Sequence, residues 1–404
     1  VADSVEDKAS GRDDEFVEYV RQFQEFCDAT MTARAESETC RDYFDGKQWS
    51  EAEDRKLRKR GQPVVTDNRI RDKIEAWQGL ELATRTDPKS YPRNPQDETA
   101  AEASTCALRY IADSNRFPRT KSDVFGNLLI EGTGGAEVVV ENRGKRKFVT
   151  IRRVRWDRMY WDPHSMLPNF ADARYLGIVV WLDLEEAKKK YPSQAESYDA
   201  MIDGSFDFGD TFDDRPSMWV DRTRKRVQIL EHYCLHDEKG WQRVVLSRAG
   251  IIEGPAPSVY KDEDGNPECC LYFQSAYVDR DGNRYGVVKN YISRQDEINK
   301  RRSKALHLLN SRQVIADKGA VKDVNKARTE LAKPDGFVEV TPGMRFELAP
   351  TTDLATGQFQ LLKESLDSFA ASGPVSAIQG QEAKQSGRAQ QVAQQAGMVQ
   401  LGPV

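Results

Sequence analysis

The residues able to do chemistry fall into a few groups, and their spacing decides what each could do. Gly132-Thr133-Gly134-Gly135 is the densest glycine run. Such runs cradle phosphate when they join a strand to a helix, because the helix N-terminus then aims free amides at the ligand. Here the run follows a helical stretch and precedes a strand, so it reads as a turn. Gly46-Lys47 and Gly144-Lys145 lack a glycine five positions before the Gly-Lys pair, and neither makes a P-loop. Asp262-Glu263-Asp264-Gly265-Asn266 and Asp279-Arg280-Asp281-Gly282-Asn283 repeat a D-x-D-G-N pattern. A calcium loop needs glycine at its sixth position and glutamate at its twelfth. Both runs lack them, and Asp-Gly at the tip predicts tight turns. His232 and His236 share one face of an expected strand, with no third ligand at metal spacing. There is no G-x-S-x-G elbow, and Cys269-Cys270 reads as a pair of strand residues. No catalytic constellation, metal site or cofactor is expected, and the chain is not read as an enzyme.

Composition narrows the classes further. The 404 residues carry 60 basic and 65 acidic side chains, a formal net charge of −5. A protein that grips nucleic acid by neutralising phosphates carries a basic excess, so tight static DNA binding is not expected. Hydrophobic residues at 38% suffice for a buried core and exclude a wholly disordered chain. Apolar runs such as Ile178–Leu182 reach five residues, against about 20 for a membrane span. The acidic start (Asp3, Glu6, Asp7) is unlike a secretory signal, so the expected compartment is cytoplasmic. Six scattered cysteines without a C-x-x-C pair read as reduced structural thiols.

The elements that must position any site follow from periodicity. The first 90 residues read as helical, with Phe16, Val20, Phe23 and Phe26/Cys27 spaced by three or four. Further helices are expected near 97–115 and from Pro118 to the glycine run. From Ala136 the period becomes that of strands, with a hairpin at Asn142-Arg143-Gly144 and more strands at 175–182, 227–234, 243–246 and 270–277. The acidic stretch 203–214 reads as an exposed loop. A charged helix is expected over about 288–312. It is followed by a short helix near 321–331, strands at 337–340 and 345–348 around Thr341-Pro342-Gly343, and a second helix carrying Phe359, Leu362, Leu366 and Phe369. The last 30 residues hold eight glutamines and four glycines, Gly380, Gly387, Gly397 and Gly402. The polypeptide is expected to continue beyond Val404.

Within the charged helix, Ile298, Ala305, Leu306 and Leu309 fall on one face, and Lys300, Lys304 and His307 on the opposite one with Arg301 alongside. The run Arg294 to Asn310 resembles the stem-helix signature of portal proteins from short-tailed, podovirus-type bacteriophages. Tyr43 to Trp49 and Val64 to Ile70 resemble that family's N-terminal wing, Trp161-Asp162-Pro163 a strand end, and Gln385 to Ala389 with Gln394 to Gly397 its tunnel region. The similarity covers nearly the whole chain in order.

The resemblance implies an α+β portal fold: a mixed wing at 1–287, stem helices at 288–312 and 353–372 flanking a small α/β clip at 313–352, and a tunnel loop with the start of a following helix at 373–404. The crown or barrel that family members carry further on is absent from these residues. It implies a ring of twelve copies at one capsid vertex of the virion, assembled in the host bacterial cytoplasm, through which double-stranded DNA is packaged and ejected. The implied partners are the terminase large subunit, a tail adaptor, and major capsid and scaffolding proteins, with no membrane. Gln379, Gln381, Lys384, Gln385 and Arg388 would face the channel, while Lys300, Arg301, Lys304 and His307 would face the channel or a neighbouring subunit. Lys322, Lys326, Arg328 and Lys333 would serve the clip as docking residues. The alternatives are a structural ring or scaffold without DNA passage, and a carboxylate-dependent nuclease using Asp262, Asp264, Asp279 and Asp281.

Overall fold

A computed structural model describes residues 3–202, 219–221, 223–310, 314–331, 336–348 and 352–372. The order is α1 (Asp3–Asp45), α2 (Glu51–Lys59), α3 (Arg69–Ala83), α4 (Glu98–Ser114), α5 (Phe117–Ile130), β1 (Thr133–Arg143), β2 (Arg146–Val154), β3 (Met159–Trp161), β4 (Tyr175–Asp183), α6 (Leu184–Lys190), α7 (Ala195–Ile202) and β5 (Val220–Asp221). There follow β6 (Arg226–His236), β7 (Gly240–Ser247), β8 (Gly250–Pro257), β9 (Leu271–Ser275), β10 (Tyr277–Val278), β11 (Arg284–Tyr285), α8 (Ile292–Asn310), β12 (Val314–Ala316), α9 (Val324–Leu331), β13 (Phe346–Leu348) and α10 (Thr352–Ala371). The fold is α+β, as expected. It divides into two compact units, one of residues 1–41 and 74–289, the other of 42–73 and 290–403.

The first unit is built on antiparallel sheets ordered β3-β4-β6-β7-β8, with β5 also on β6, and β2-β1-β9. The apolar stripe of α1 supplies its aromatic core: Phe23 meets Tyr160 edge-on at 5.1 Å and Phe26 meets Trp161 at 4.9 Å. These arrangements suit the ring quadrupoles. The glycine run serves close backbone approach, not a ligand. Gly132 has φ +92°, and a Cβ there would lie 2.2 Å from the Tyr285 backbone; one at Gly135 would strike Phe273 at 2.5 Å. Arg284 is buried and donates to Ser165 O (2.9 Å), Leu167 O (3.1 Å) and Ser275 Oγ (2.6 Å). It thereby ties the segment after β3 to β9.

Two elements depart from the sequence reading here. β8 contains Pro255 and Pro257, which argue against a strand, yet among the described residues it pairs only with β7 at the end of the sheet, where a missing donor is tolerated. Helix α7 was also not expected. The stretch 203–214, read as a loop, lies outside the described residues.

The second unit brings α2, α8, α10 and the residues before α3 together with a small insert. In that insert the expected strand at 345–348 is present as β13, and it pairs with β12, Val314 opposite Leu348 and Ala316 opposite Phe346. Asp317 directs this choice, because its amide donates to Arg345 O (2.9 Å) and its carboxylate accepts the Arg345 amide (2.8 Å). Residues 337–340 run without regular structure, and the Thr341 amide goes to Ala320 O at 2.9 Å.

Candidate functional site

Helix α8 carries the charged run singled out in the sequence. Ile298 and Ala305 are fully buried as the apolar face requires, whereas Leu309 remains 53% exposed. Three polar residues, Gln295, Asn299 and Ser303, are buried as well. Buried polar groups need partners, and theirs belong to residues 63–69, an extended strap that enters α3 and has no strand beside it.

The contacts form a regular series. Ser303 Oγ accepts the Val65 amide (3.2 Å), Asn299 Oδ1 the Asp67 amide (2.9 Å), and Gln295 Oε1 the Arg69 amide (3.0 Å). Gln295 Nε2 also donates to Asp67 O (2.6 Å) and to Asn299 Oδ1 (3.1 Å). Four helical residues rise about 6.0 Å and two extended residues about 6.6 Å. Every second strap amide therefore meets every fourth helix residue. Gln48 joins from the side: its Oε1 accepts Asn299 Nδ2 (2.7 Å), and its Nε2 donates to Asn68 Oδ1 (2.9 Å) and Tyr43 O (2.8 Å). Asn68 Oδ1 also accepts the Arg71 amide (3.2 Å), an N-cap for α3. Trp49 Nε1 holds Val65 O at 3.1 Å. The runs 43–49, 64–70 and 294–310, far apart in sequence, thus meet in one network.

The charged residues of α8 are unequally engaged. Lys300 lies 3.6 Å from Glu53 and 3.9 Å from Asp296, and Arg301 Nε donates to Glu297 at 2.7 Å. Arg302 pairs with Asp67. Tyr43 Oη donates to Asp296 at 2.6 Å; burial first, and then this bond, pushes the phenol well above its ordinary range. Glu53, held by Ser50 and then by Lys300, is lowered. Lys304 is exposed without a carboxylate within 4 Å, and half-buried His307 has no hydrogen bond, among the described residues. These two are the unengaged groups of the predicted stem set. The sequence reading singled out the cations and passed over Gln295, Asn299, Ser303 and Gln48; their spacing of four was the available signal.

Helix α10 returns along α8. The Tyr291 ring meets Phe369 at 5.3 Å, and Lys73 Nζ donates to Ala370 O at 3.0 Å. Of the expected α10 stripe, Phe369 is buried while Phe359 is 43% exposed. In the insert, Lys322, Lys326 and Arg328 are exposed around α9, which Asp323 caps by accepting the Asn325 amide (2.9 Å). A cavity of about 1180 Å³ lies beside them, lined by Val314, Ile315, Val324, Ala327, Leu331 and Phe346 among others. Lys333 and the tunnel residues Gln379, Gln381, Lys384, Gln385 and Arg388 lie outside the described residues.

The remaining sequence candidates have structural employment. Asp262 Oδ1 accepts the Asn266 amide (2.8 Å), and Asp279 Oδ1 accepts those of Asp281 (2.9 Å) and Asn283 (2.8 Å), so both runs are tight turns. His232 is fully buried with Tyr160 Oη at 3.1 Å from its Nδ1, and burial depresses its pKa to about 3; His236 is exposed at the strand end.

Residues 20–404 match the family model described as phage P22-like portal protein. The chain belongs to the P22-like portal protein family. It is also 18% identical over 301 residues to the portal protein of Helicobacter pylori bacteriophage KHP30, covering 74% of this chain and 47% of that protein. The chain thus spans about half the length of this portal relative. The family is structural rather than typically enzymatic. No helix among the described residues is long and apolar enough to cross a membrane. The network of α8 and its strap is accordingly a feature of a portal chain.

Proposed function

We propose that this chain is a subunit of the head-to-tail connector of a bacteriophage. Twelve copies form a closed ring at one capsid vertex, and double-stranded DNA enters and leaves through it. Residues 1–287 act as the wing, 288–312 and 353–372 as the stem, 313–352 as the clip and 373–404 as the tunnel segment. The ring assembles in the host bacterial cytoplasm with scaffolding and major capsid proteins. The terminase large subunit, and later a tail adaptor, dock at the clip through Lys322, Lys326, Arg328 and Lys333.

The observation that carries this reading is the family match across residues 20–404, joined to the order helix, small α/β insert, helix in α8 to α10. Twelve helices side by side at about 10 Å give a circumference of about 120 Å and a radius of about 19 Å. Subtracting a helix radius of about 5 Å leaves a bore near 28 Å, wide enough for a duplex. At −5 per chain, twelve copies carry a formal −60, which favours sliding over static phosphate binding. Of the stem cations, Lys304 is the best placed to meet DNA or a neighbouring subunit, because Lys300 and Arg301 already have acidic partners. In the tunnel, Lys384 and Arg388 would make the charged contacts, and Gln379, Gln381 and Gln385 neutral ones.

The test is DNA packaging by particles carrying altered subunits. Lys304→Glu, and separately Lys384→Glu with Arg388→Glu, should change packaging yield and its salt sensitivity; unchanged packaging in both would refute the channel assignment. Lys322→Glu with Lys326→Glu and Arg328→Glu should weaken motor binding while rings persist, and intact binding would refute the docking assignment.

A further inference from the structure

The strap contacts of α8 have a property that a single rigid seam does not need: they repeat. We propose that α8 and the 63–69 strap form a two-position ratchet, in which the helix slides one turn along the strap and rebuilds the same kind of contacts with the next residues in line. This goes beyond the connector reading and does not depend on it.

Helix residues 295, 299 and 303 now hold the amides of Arg69, Asp67 and Val65. Displacing α8 by four residues places Asn299 at Arg69, Ser303 at Asp67 and His307 at Val65. Each can accept an amide hydrogen, and His307 is half-buried with no hydrogen bond among the described residues. The ionic contact repeats in the same sense. Glu53 faces Lys300 at 3.6 Å, and four residues on it would face Lys304, which has no carboxylate within 4 Å among the described residues. The Tyr43 hydroxyl, now on Asp296 (2.6 Å), would meet Lys300. The exposed pair of Arg302 with Asp67 is lost, since position 306 is leucine.

The opposite displacement is disfavoured. It sets Asp296 against Glu53 and Tyr291 against the Arg69 amide, so the device moves one way from the observed register. Ile298 and Ala305 are seven apart on α8 and share a face, and the Tyr291 ring, just before α8, meets Phe369 of α10, so α10 moves with α8 as a helical hairpin, at the loss of the Lys73 bond to Ala370 O. Four residues of α-helix advance about 6.0 Å, close to one turn, and one-turn displacements of packed elements are a known kind of switching movement. The wide insert between α8 and α10 would be carried by the same step.

The test uses pulsed electron–electron distance measurement on the whole protein with spin labels at Lys56→Cys and Arg294→Cys. Both positions are exposed and outside the series, and exposed Cys106 is replaced by serine. Labelled subunits are diluted with unlabelled ones if the protein is oligomeric, and spectra are taken with and without duplex DNA. The ratchet predicts a second distance population, several ångströms longer, in at least one condition. It also predicts that Lys304→Glu, which sets two acids face to face in the shifted register, removes that population and leaves the first intact. A single population under both conditions, or a second one that survives Lys304→Glu, would overturn the proposal. Neither result bears on ring closure or DNA passage, so it can fail while the connector reading stands.

Discussion

Asn299 serves three partners at once, accepting from Asp67 and Gln295 and donating to Gln48. Asn299→Ala strands the Asp67 amide and Gln48 Oε1 without partners, and leaving such buried groups unpaired costs about 2–3 kcal/mol. Urea unfolding should show that loss, while Leu309→Ala, at an exposed position on the same helix, should change stability little. Glu131 makes a different kind of demand. Its side chain is fully buried, accepts from Arg41 Nε (2.6 Å) and Asn127 Nδ2 (2.9 Å), and is nevertheless raised above the usual 4.5, because burial outweighs the pull of Arg41. The folded state therefore binds this proton more tightly than the unfolded state does. The resulting stabilisation is full below 4.5 and is lost as pH rises through the raised folded value. The stability of wild type relative to Glu131→Gln should thus increase as pH falls from neutral toward 4.5, as followed by thermal melts across that range. A constant difference would show that Glu131 keeps an ordinary pKa.

At the scale of elements, α2 is set by a capping box, the Glu53 amide on Ser50 Oγ (3.3 Å) and the Ser50 amide on Glu53 Oε2 (3.4 Å). Because Glu53 also faces Lys300, Ser50→Ala should cost about 1 kcal/mol as a lost cap, and combining it with Lys300→Ala should give less than the sum of the two single changes. A double-mutant cycle measures this coupling; strict additivity would separate the cap from α8. The helices around the insert were legible because apolar residues recur at spacings of three and four, and the β-rich middle because alternation replaces that period. The strap was not legible as a partner of α8. An extended segment bonded to side chains has no hydrophobic period, and Gln295, Asn299 and Ser303 at spacing four look like a solvated helix face. The strand at 314–316 was missed for a related reason: three residues are too few to show a period, and its pairing rests on Asp317 contacts with Arg345, 28 positions away.

For the whole molecule, the decisive property is self-association, since a conduit exists only in a closed ring. Residues 42–73 pack in one compact unit with the residues from 290 onward, so changes in the strap should reach any assembly built on α8. Asn299→Ala is accordingly expected to weaken ring formation as well as the fold of the chain, seen as a shift to smaller species at a fixed concentration. The most direct measurement is native mass spectrometry of the purified wild-type protein, with electron-microscope class averages of the same sample. A closed ring of about 551 kDa, twelve times the chain mass of 45.9 kDa, with an open central channel, is the predicted result. A monomer, or an assembly whose class averages show no closed ring, would contradict it.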